Sequence, residues 1–110
     1  MTKNEWKQLR GSRPSPDHIM LSIKHDPAAS RTVKWRTSTV VTEGFALYRE
    51  QGSAGEWKKA RAEKNIFSTD LDESCYFFAD MNGLLPDTRY EYTVGDHENR
   101  SGIFTFKTAK

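Results

Sequence analysis

Apolar and polar residues alternate along this chain in short runs, and turn-forming residues separate the runs. Between His18 and His25, Ile19, Leu21 and Ile23 share one face, the two-residue period of a half-buried strand. Asp26-Pro27 ends that run. Thr32 to Thr37 sets Val33 and Trp35 on one face and Lys34 and Arg36 on the other, as in a strand with one dry and one wet side. Gly44 to Arg49 predicts a third strand, in which Phe45/Leu47 and Ala46/Tyr48 compete for the inner face; the pattern does not choose between them. Gln51-Gly52-Ser53-Ala54-Gly55 reads as a turn. Trp57 to Lys64 predicts an edge strand, because Lys58, Lys59, Arg61 and Lys64 discourage pairing with another molecule. Cys75 to Met81 directs Cys75, Phe77, Ala79 and Met81 inward, and Tyr76 and Phe78 outward. Thr88 to Val94, a polar hairpin over Gly95 to Gly102, and Ile103 to Lys107 with Phe104 and Phe106 inward complete the series.

Seven strands with regular turn signals and no helix among them predict an all-β sandwich of antiparallel strands, not an α/β fold. The strongest local signal is Gly83-Leu84-Leu85-Pro86-Asp87-Thr88-Arg89-Tyr90-Glu91-Tyr92-Thr93-Val94. Pro86 fixes its own φ, and Asp87 and Thr88 bond back to nearby backbone, so the corner is rigid. A tyrosine just after such a corner buries its ring and returns its hydroxyl to the backbone, the tyrosine corner of Greek-key sandwiches. The expected core is therefore Val33, Trp35, Leu84, Pro86, Tyr90, Tyr92, Phe104 and Phe106.

A length of 110 residues fits one domain with one core. Residues 1–15 differ from the rest. Thr2 and Glu5 have capping-box spacing, and Trp6 and Leu9 share a helix face, enough for a short helix at most. Arg13-Pro14-Ser15-Pro16 is a stiff spacer, which leaves residues 16–110 as the domain. The 17 basic and 15 acidic residues are interspersed and sum to +2, so no field calls for nucleic acid. Cys75 is the only cysteine, and no intrachain disulfide forms. No apolar run reaches membrane-spanning length. Met1-Thr2-Lys3-Asn4-Glu5-Trp6 lacks the apolar core of a signal peptide. The chain is then either not exported by that route, and cytoplasmic, or a segment of a larger protein, and the compartment stays open.

Three stretches together resemble the N-terminal, fibronectin type III-like domain of purple acid phosphatases and related metallophosphoesterases. They are Val33-Lys34-Trp35-Arg36-Thr37, then Met81-Asn82-Gly83-Leu84-Leu85-Pro86-Asp87-Thr88-Arg89-Tyr90-Glu91-Tyr92-Thr93-Val94-Gly95-Asp96, then Phe104-Thr105-Phe106-Lys107-Thr108. The likeness lies in order and spacing: a Trp strand, a Gly-Leu-x-Pro-x-Thr-x-Tyr corner, a Val-Gly-Asp strand end and a Phe-x-Phe-x-Thr last strand. It runs from about Pro16 to the C-terminus. Where many members of that family carry two histidines, this chain has Phe77-Phe78. Phe77 falls inward, whereas Phe78 and Tyr76 point out. Two aromatics on one outer face mark either a covered surface, such as an interface with another domain, or scattered surface rings.

The resemblance implies that catalysis, with two metal ions, belongs to a separate, later metallophosphoesterase domain. None of that domain's ligand blocks occurs in these residues. It implies a non-catalytic accessory role, with no catalytic, cofactor-binding or metal-binding residue in this chain, and that later domain as the partner. The alternative is a free-standing module for a protein or glycan, self-association included. An enzyme in its own right lacks a coherent set of catalytic groups here.

Gly95-Asp96-His97-Glu98-Asn99 has some likeness to the Gly-Asn-His metal motif of metallophosphoesterases, but Asp96 stands where Asn is needed. A two-metal site also draws ligands from several loops, so a polar hairpin is the expected reading. His18, His25 and His97 are too dispersed for a zinc site. Cys75, inward-facing, is expected to be a buried inert thiol and not a nucleophile. Gly52-Ser53-Ala54-Gly55 lacks the Lys-Ser/Thr of a phosphate loop. Asn99-Arg100-Ser101 is a formal glycosylation sequon, with no secretory signal before it. The Lys58–Lys64 cations alternate too irregularly for a nucleic-acid stripe and read as a solvated edge.

Overall fold

The computed structural model describes residues 15–23, 26–39, 41–53, 55–68 and 73–110. The helix expected in residues 1–12, and His25, lie outside them. Eight strands form two antiparallel sheets. In chain order they are β1 (Asp17–Ser22), β2 (Arg31–Ser38), β3 (Phe45–Glu50), β4 (Lys58–Arg61), β5 (Glu63–Ser68), β6 (Glu73–Met81), β7 (Arg89–Gly95) and β8 (Phe104–Lys107). One sheet has the order β1-β2-β6-β5 and the other β4-β3-β7-β8. The fold is a β-sandwich, with no helix among the described residues.

The single strand expected from Trp57 to Lys64 is two strands in two sheets. β4 pairs with β3, and β5 pairs with β6. Between them Ala62 donates its N–H to the Gly44 carbonyl at 3.0 Å, the step at which the chain changes sheet. No Gly or Pro marks that step in Lys58-Lys59-Ala60-Arg61-Ala62-Glu63, so the alternation runs through it unseen. Both halves remain edge strands, which accounts for their exposed charges.

The core lies between the sheets. Trp35 and Phe77, from β2 and β6, stack with centroids 5.5 Å apart and an interplanar angle of 17°. Val33, Cys75, Ala79 and Met81 surround them from the same sheet, and Ala46, Tyr48, Tyr90, Tyr92, Val94 and Phe106 face them from the other. Val41 and Leu84 close the ends from loops. On β3 the inner face is Ala46 and Tyr48, the question the pattern left open. Gly44 leads into that strand directly over the stacked pair. A Cβ there would sit 2.9 Å from both Phe77 Cδ1 and Trp35 Cζ2, so glycine lets the backbone approach two rings.

Two expected core residues are not in the core. Phe104 is 41% exposed. It shares Phe106's face and meets Tyr92 at 5.7 Å, but β8 is an edge strand and covers only part of the ring. Pro86 is exposed at the corner's tip. Its contribution is to the turn, where a fixed φ matters and burial does not. Val33, Trp35, Leu84, Tyr90, Tyr92 and Phe106 are buried.

Candidate functional site

The corner between β6 and β7 is built around Tyr90. Its hydroxyl accepts the Leu85 N–H at 2.9 Å. The Leu85 carbonyl accepts the Thr108 hydroxyl at 2.6 Å, and Thr108 Oγ1 in turn accepts the Thr88 N–H at 2.9 Å. Asp87 takes a left-handed φ of 51°, a conformation that Asp tolerates. The corner is thus a closed hydrogen-bonded unit, and its exposed Asp87 carboxylate pairs with Lys107 at 3.1 Å.

The outer face of β1-β2-β6-β5 holds the two aromatics singled out in the sequence. Cross-strand register sets Met20, Lys34, Phe78 and Glu63 in one row, and Asp17, Arg36, Tyr76 and Asn65 in the next. Arg36 donates Nε to Asp17 Oδ1 and a terminal nitrogen to Oδ2, both at 2.7 Å, a bidentate pair. Lys34 Nζ lies 5.5 Å from the Tyr76 ring centroid and 6.0 Å from that of Phe78. No carboxylate pairs with it among the described residues. Both rings are half-buried, and with Lys34, Asn65 and Ile66 they line a groove of about 310 Å³. Ile66 and Met20 on this sheet are 59% and 58% exposed.

The Gly95–Asn99 segment is a hairpin turn. Asp96 Oδ1 accepts the N–H groups of Glu98 and Asn99 at 2.9 and 2.6 Å. Asp96 N–H donates to the Asn99 carbonyl at 3.0 Å. Gly95 has φ +136°, and a Cβ there would run into the Asn99 carbonyl oxygen. The Asp96 carboxylate therefore serves the backbone. Among the described residues no three His, Cys, Asp or Glu side chains converge as metal ligands. His18 is exposed. His97, also exposed, has its ring 5.2 Å from that of Phe45. Cys75 is fully buried. Burial pushes its thiol pKa up against a smaller downward pull from Lys64, so the reactive thiolate is disfavoured.

The sequence reading missed a second cluster, on the outer face of β4-β3-β7-β8. Phe45 points to that face yet is only 4% exposed. Lys59 Nζ lies 4.4 Å from its centroid and Arg100 Cζ 5.6 Å. In the same sheet Arg49 donates to Glu91 Oε1 at 2.7 Å and stacks 4.2 Å from the Trp57 centroid. Only strand pairing joins these residues. The basic run and the Asp-His turn are some forty residues apart in sequence, and neither names the other as a neighbour.

Comparison with known proteins agrees with this architecture. Purple acid phosphatase PPD1 from yellow lupin (Lupinus luteus) seeds superimposes with a TM-score of 0.65 at 18% identity, covering 86% of this chain and 19% of that one. The chain thus spans about a fifth of that protein. Astrotactin-2, a vertebrate perforin-like membrane protein, gives 0.60 at 13% identity over 86% of this chain and 22% of its own. A computationally redesigned β-sandwich protein gives 0.57 at 13% identity over 87% and 95%. At such identities these likenesses establish the fold alone. No curated protein matches the sequence. The model of the family described as "Purple acid Phosphatase, N-terminal domain" matches residues 16–108, nearly the whole sandwich with its tyrosine corner and last strand, and the chain belongs to that family.

Proposed function

We propose that this chain is a non-catalytic accessory domain, which docks on a metallophosphoesterase domain through the outer face of β1-β2-β6-β5. The phosphoester hydrolysis belongs to that partner and its two metal ions. The observation that carries the reading is the row of Met20, Lys34 and Phe78 beside Tyr76. Two half-buried rings, the exposed Met20 side chain and a lysine that pairs with no carboxylate among the described residues form an apolar patch with one such charge. A partner surface that is apolar with a carboxylate opposite Lys34 complements it. Burying two rings contributes a few kcal/mol at about 25 cal/mol per Å² of apolar area, before ordering costs.

Two experiments test this. The coding sequence beyond Lys110 should carry Gly-Asp and Gly-Asn-His blocks on strand-loop-helix patterns, whereas an immediate stop favours the free-standing module. In the protein bearing both domains, Tyr76→Ser with Phe78→Thr should speed amide exchange along β6 with little change in the stability of this domain. If the pair instead unfolds the domain, the rings are core and the docking surface is lost.

A further inference from the structure

The Phe45 cluster lies on the opposite side of the sandwich from the proposed docking face, and its reading does not depend on that proposal. Phe45 should be wet by its position on an outer face. It is covered instead by cationic side chains. Lys59 and Arg100 approach one ring, and the two distances cap their separation at about 10 Å, one Debye length at 0.1 M salt. Arg61 is the Cα partner of Phe45 across the β3–β4 pair and so shares its face. His97 borders the same ring.

These cations differ from others on the surface. Arg36, Arg49 and Lys107 each meet a carboxylate. Lys59, Arg61 and Arg100 pair with none among the described residues. Arg100 uses Nε on the Asp96 backbone carbonyl at 3.2 Å, which leaves its terminal nitrogens without a hydrogen bond among the described residues. Asp96, Glu43 and Glu98 line an adjoining groove with Thr42 and His97, but none of these acids comes within ion-pair distance of Lys59, Arg61 or Arg100 among the described residues. The Gly95 turn also acquires a role, since Gly95 bridges Arg100 and sets the guanidinium above the ring.

We propose that Lys59, Arg61 and Arg100, held around Phe45, bind a ligand with two or more linked tetrahedral oxyanions, phosphate or sulfate. Guanidinium groups match such oxyanions bidentately and ammonium groups meet them as point charges. Stacking on Phe45 fixes the headgroups before binding, which lowers the ordering cost. The spread of the cations suits linked groups better than a single small anion.

The test uses the isotope-labelled chain, with amide resonances followed during titration in low salt. The probes are tripolyphosphate and sucrose octasulfate, with orthophosphate as the single-group control. Both sources share the oxyanion chemistry, and the tighter probe identifies which the site prefers. Saturable shifts centred on Phe45, Lys59, Arg61 and Arg100 are expected, with orthophosphate weaker by about fivefold or more. Lys59→Ala with Arg100→Ala should weaken the tighter probe by about tenfold and flatten its salt dependence, whereas Lys64→Ala on β5 should change it by less than about twofold. Should the double variant melt early, Arg61→Ala and Arg100→Gln taken singly carry the same comparison. Non-saturating titrations with both polyanions, shifts centred elsewhere, or affinity unchanged by loss of these charges would overturn the proposal.

Discussion

The sharpest test of the corner is Tyr90→Phe set against Tyr92→Phe. Both tyrosines are buried on β7, at 3% and 5% exposure. Their hydroxyls differ. That of Tyr90 accepts the Leu85 N–H, whereas Tyr92 has no hydrogen-bond partner among the described residues. Tyr90→Phe keeps the ring on Phe106, at 5.6 Å and 17°, and removes only the oxygen. The loss is about 1 kcal/mol, the net worth of one such bond, and rises toward 3 if water cannot reach the freed amide. At about 2.1 cal/mol/K per residue, unfolding a chain of this length carries roughly 0.23 kcal/mol/K, so 1 kcal/mol lowers Tm by about 4 °C. Tyr92→Phe deletes an oxygen that makes no hydrogen bond among the described residues and is not sealed from solvent, and should be close to neutral. Urea and thermal unfolding of the three proteins decide it. Equal effects of the two substitutions, or a Tyr90→Phe melt within about 1 °C of the parent, would mean that the corner hydrogen bond does not hold this turn.

Three further outcomes are expected. Gly44→Ala should cost about 1–3 kcal/mol in urea unfolding, since the new methyl meets Trp35 and Phe77 ring atoms at 2.9 Å; a neutral result would place slack in the centre of the core. Burial raises the pKa of the Cys75 thiol and of the Tyr48 and Tyr92 phenols, so these groups hold their protons longer when folded. Stability should then be level below the unfolded thiol pKa of about 8.5 and fall as pH rises, first through the thiol and above about 10 through the phenols. Cys75→Ala should flatten the first part of that fall, and an unchanged slope would show that the thiol is not its source. The chain should neither hydrolyse p-nitrophenyl phosphate nor bind a pair of transition metals in titration calorimetry; two-metal binding abolished by His97→Ala would reverse the hairpin reading.

Most of the sandwich was legible because antiparallel strands with one wet face write their orientation into the sequence. Lys34 and Arg36 against Val33 and Trp35 leave one choice of face, and Cys75 to Met81 leaves one more. The corner was legible because a fixed φ at Pro86 and a tyrosine four residues later leave few geometries. The β3 face was not, because Phe45, Ala46, Leu47 and Tyr48 are all apolar and no alternation exists to read. It is settled by what lies across the interface. Ala46 leaves room for the opposite sheet, whereas Phe45 finds cover beneath the Lys59 stem. The same cover explains why the Phe45 cluster was invisible: a buried ring on an outer face requires knowledge of the β3–β4 and β3–β7 registers, and pairing is non-local. The change of sheet at Ala62 was missed for a related reason, since a crossover without Gly or Pro leaves no mark in composition. Phe104 shows the converse. Its alternation is right and its burial is not, because an edge position is a property of topology and not of the strand's own sequence.

The same topology bears on how the proposed docking would hold its orientation. The segment after β8 is tied back to the sandwich at several points. The Thr108 hydroxyl donates to Leu85, Thr108 N–H donates to the Thr88 carbonyl at 3.0 Å, and Ala109 exchanges bonds with Pro27 and Asp87 at 3.0 and 2.9 Å. Arg31 lies over the Phe106 ring at 5.5 Å and donates to the Pro27 and Lys107 carbonyls at 2.5 and 3.1 Å, so a buried charge satisfies backbone where no carboxylate is needed. Leu85 is therefore held from both sides, its N–H by Tyr90 and its carbonyl by Thr108. The tyrosine corner and the chain's departure from the last strand form one mechanical unit, and loosening either should loosen the other. For a domain that docks through the face of β1-β2-β6-β5, such a unit fixes the direction in which residues 108–110 leave. It confines the orientations that a following domain could sample before contact. Preorganisation of this sort would lower the entropy lost in the proposed docking, so that a modest aromatic patch of Tyr76 and Phe78 would suffice where a flexible tether would demand a larger one.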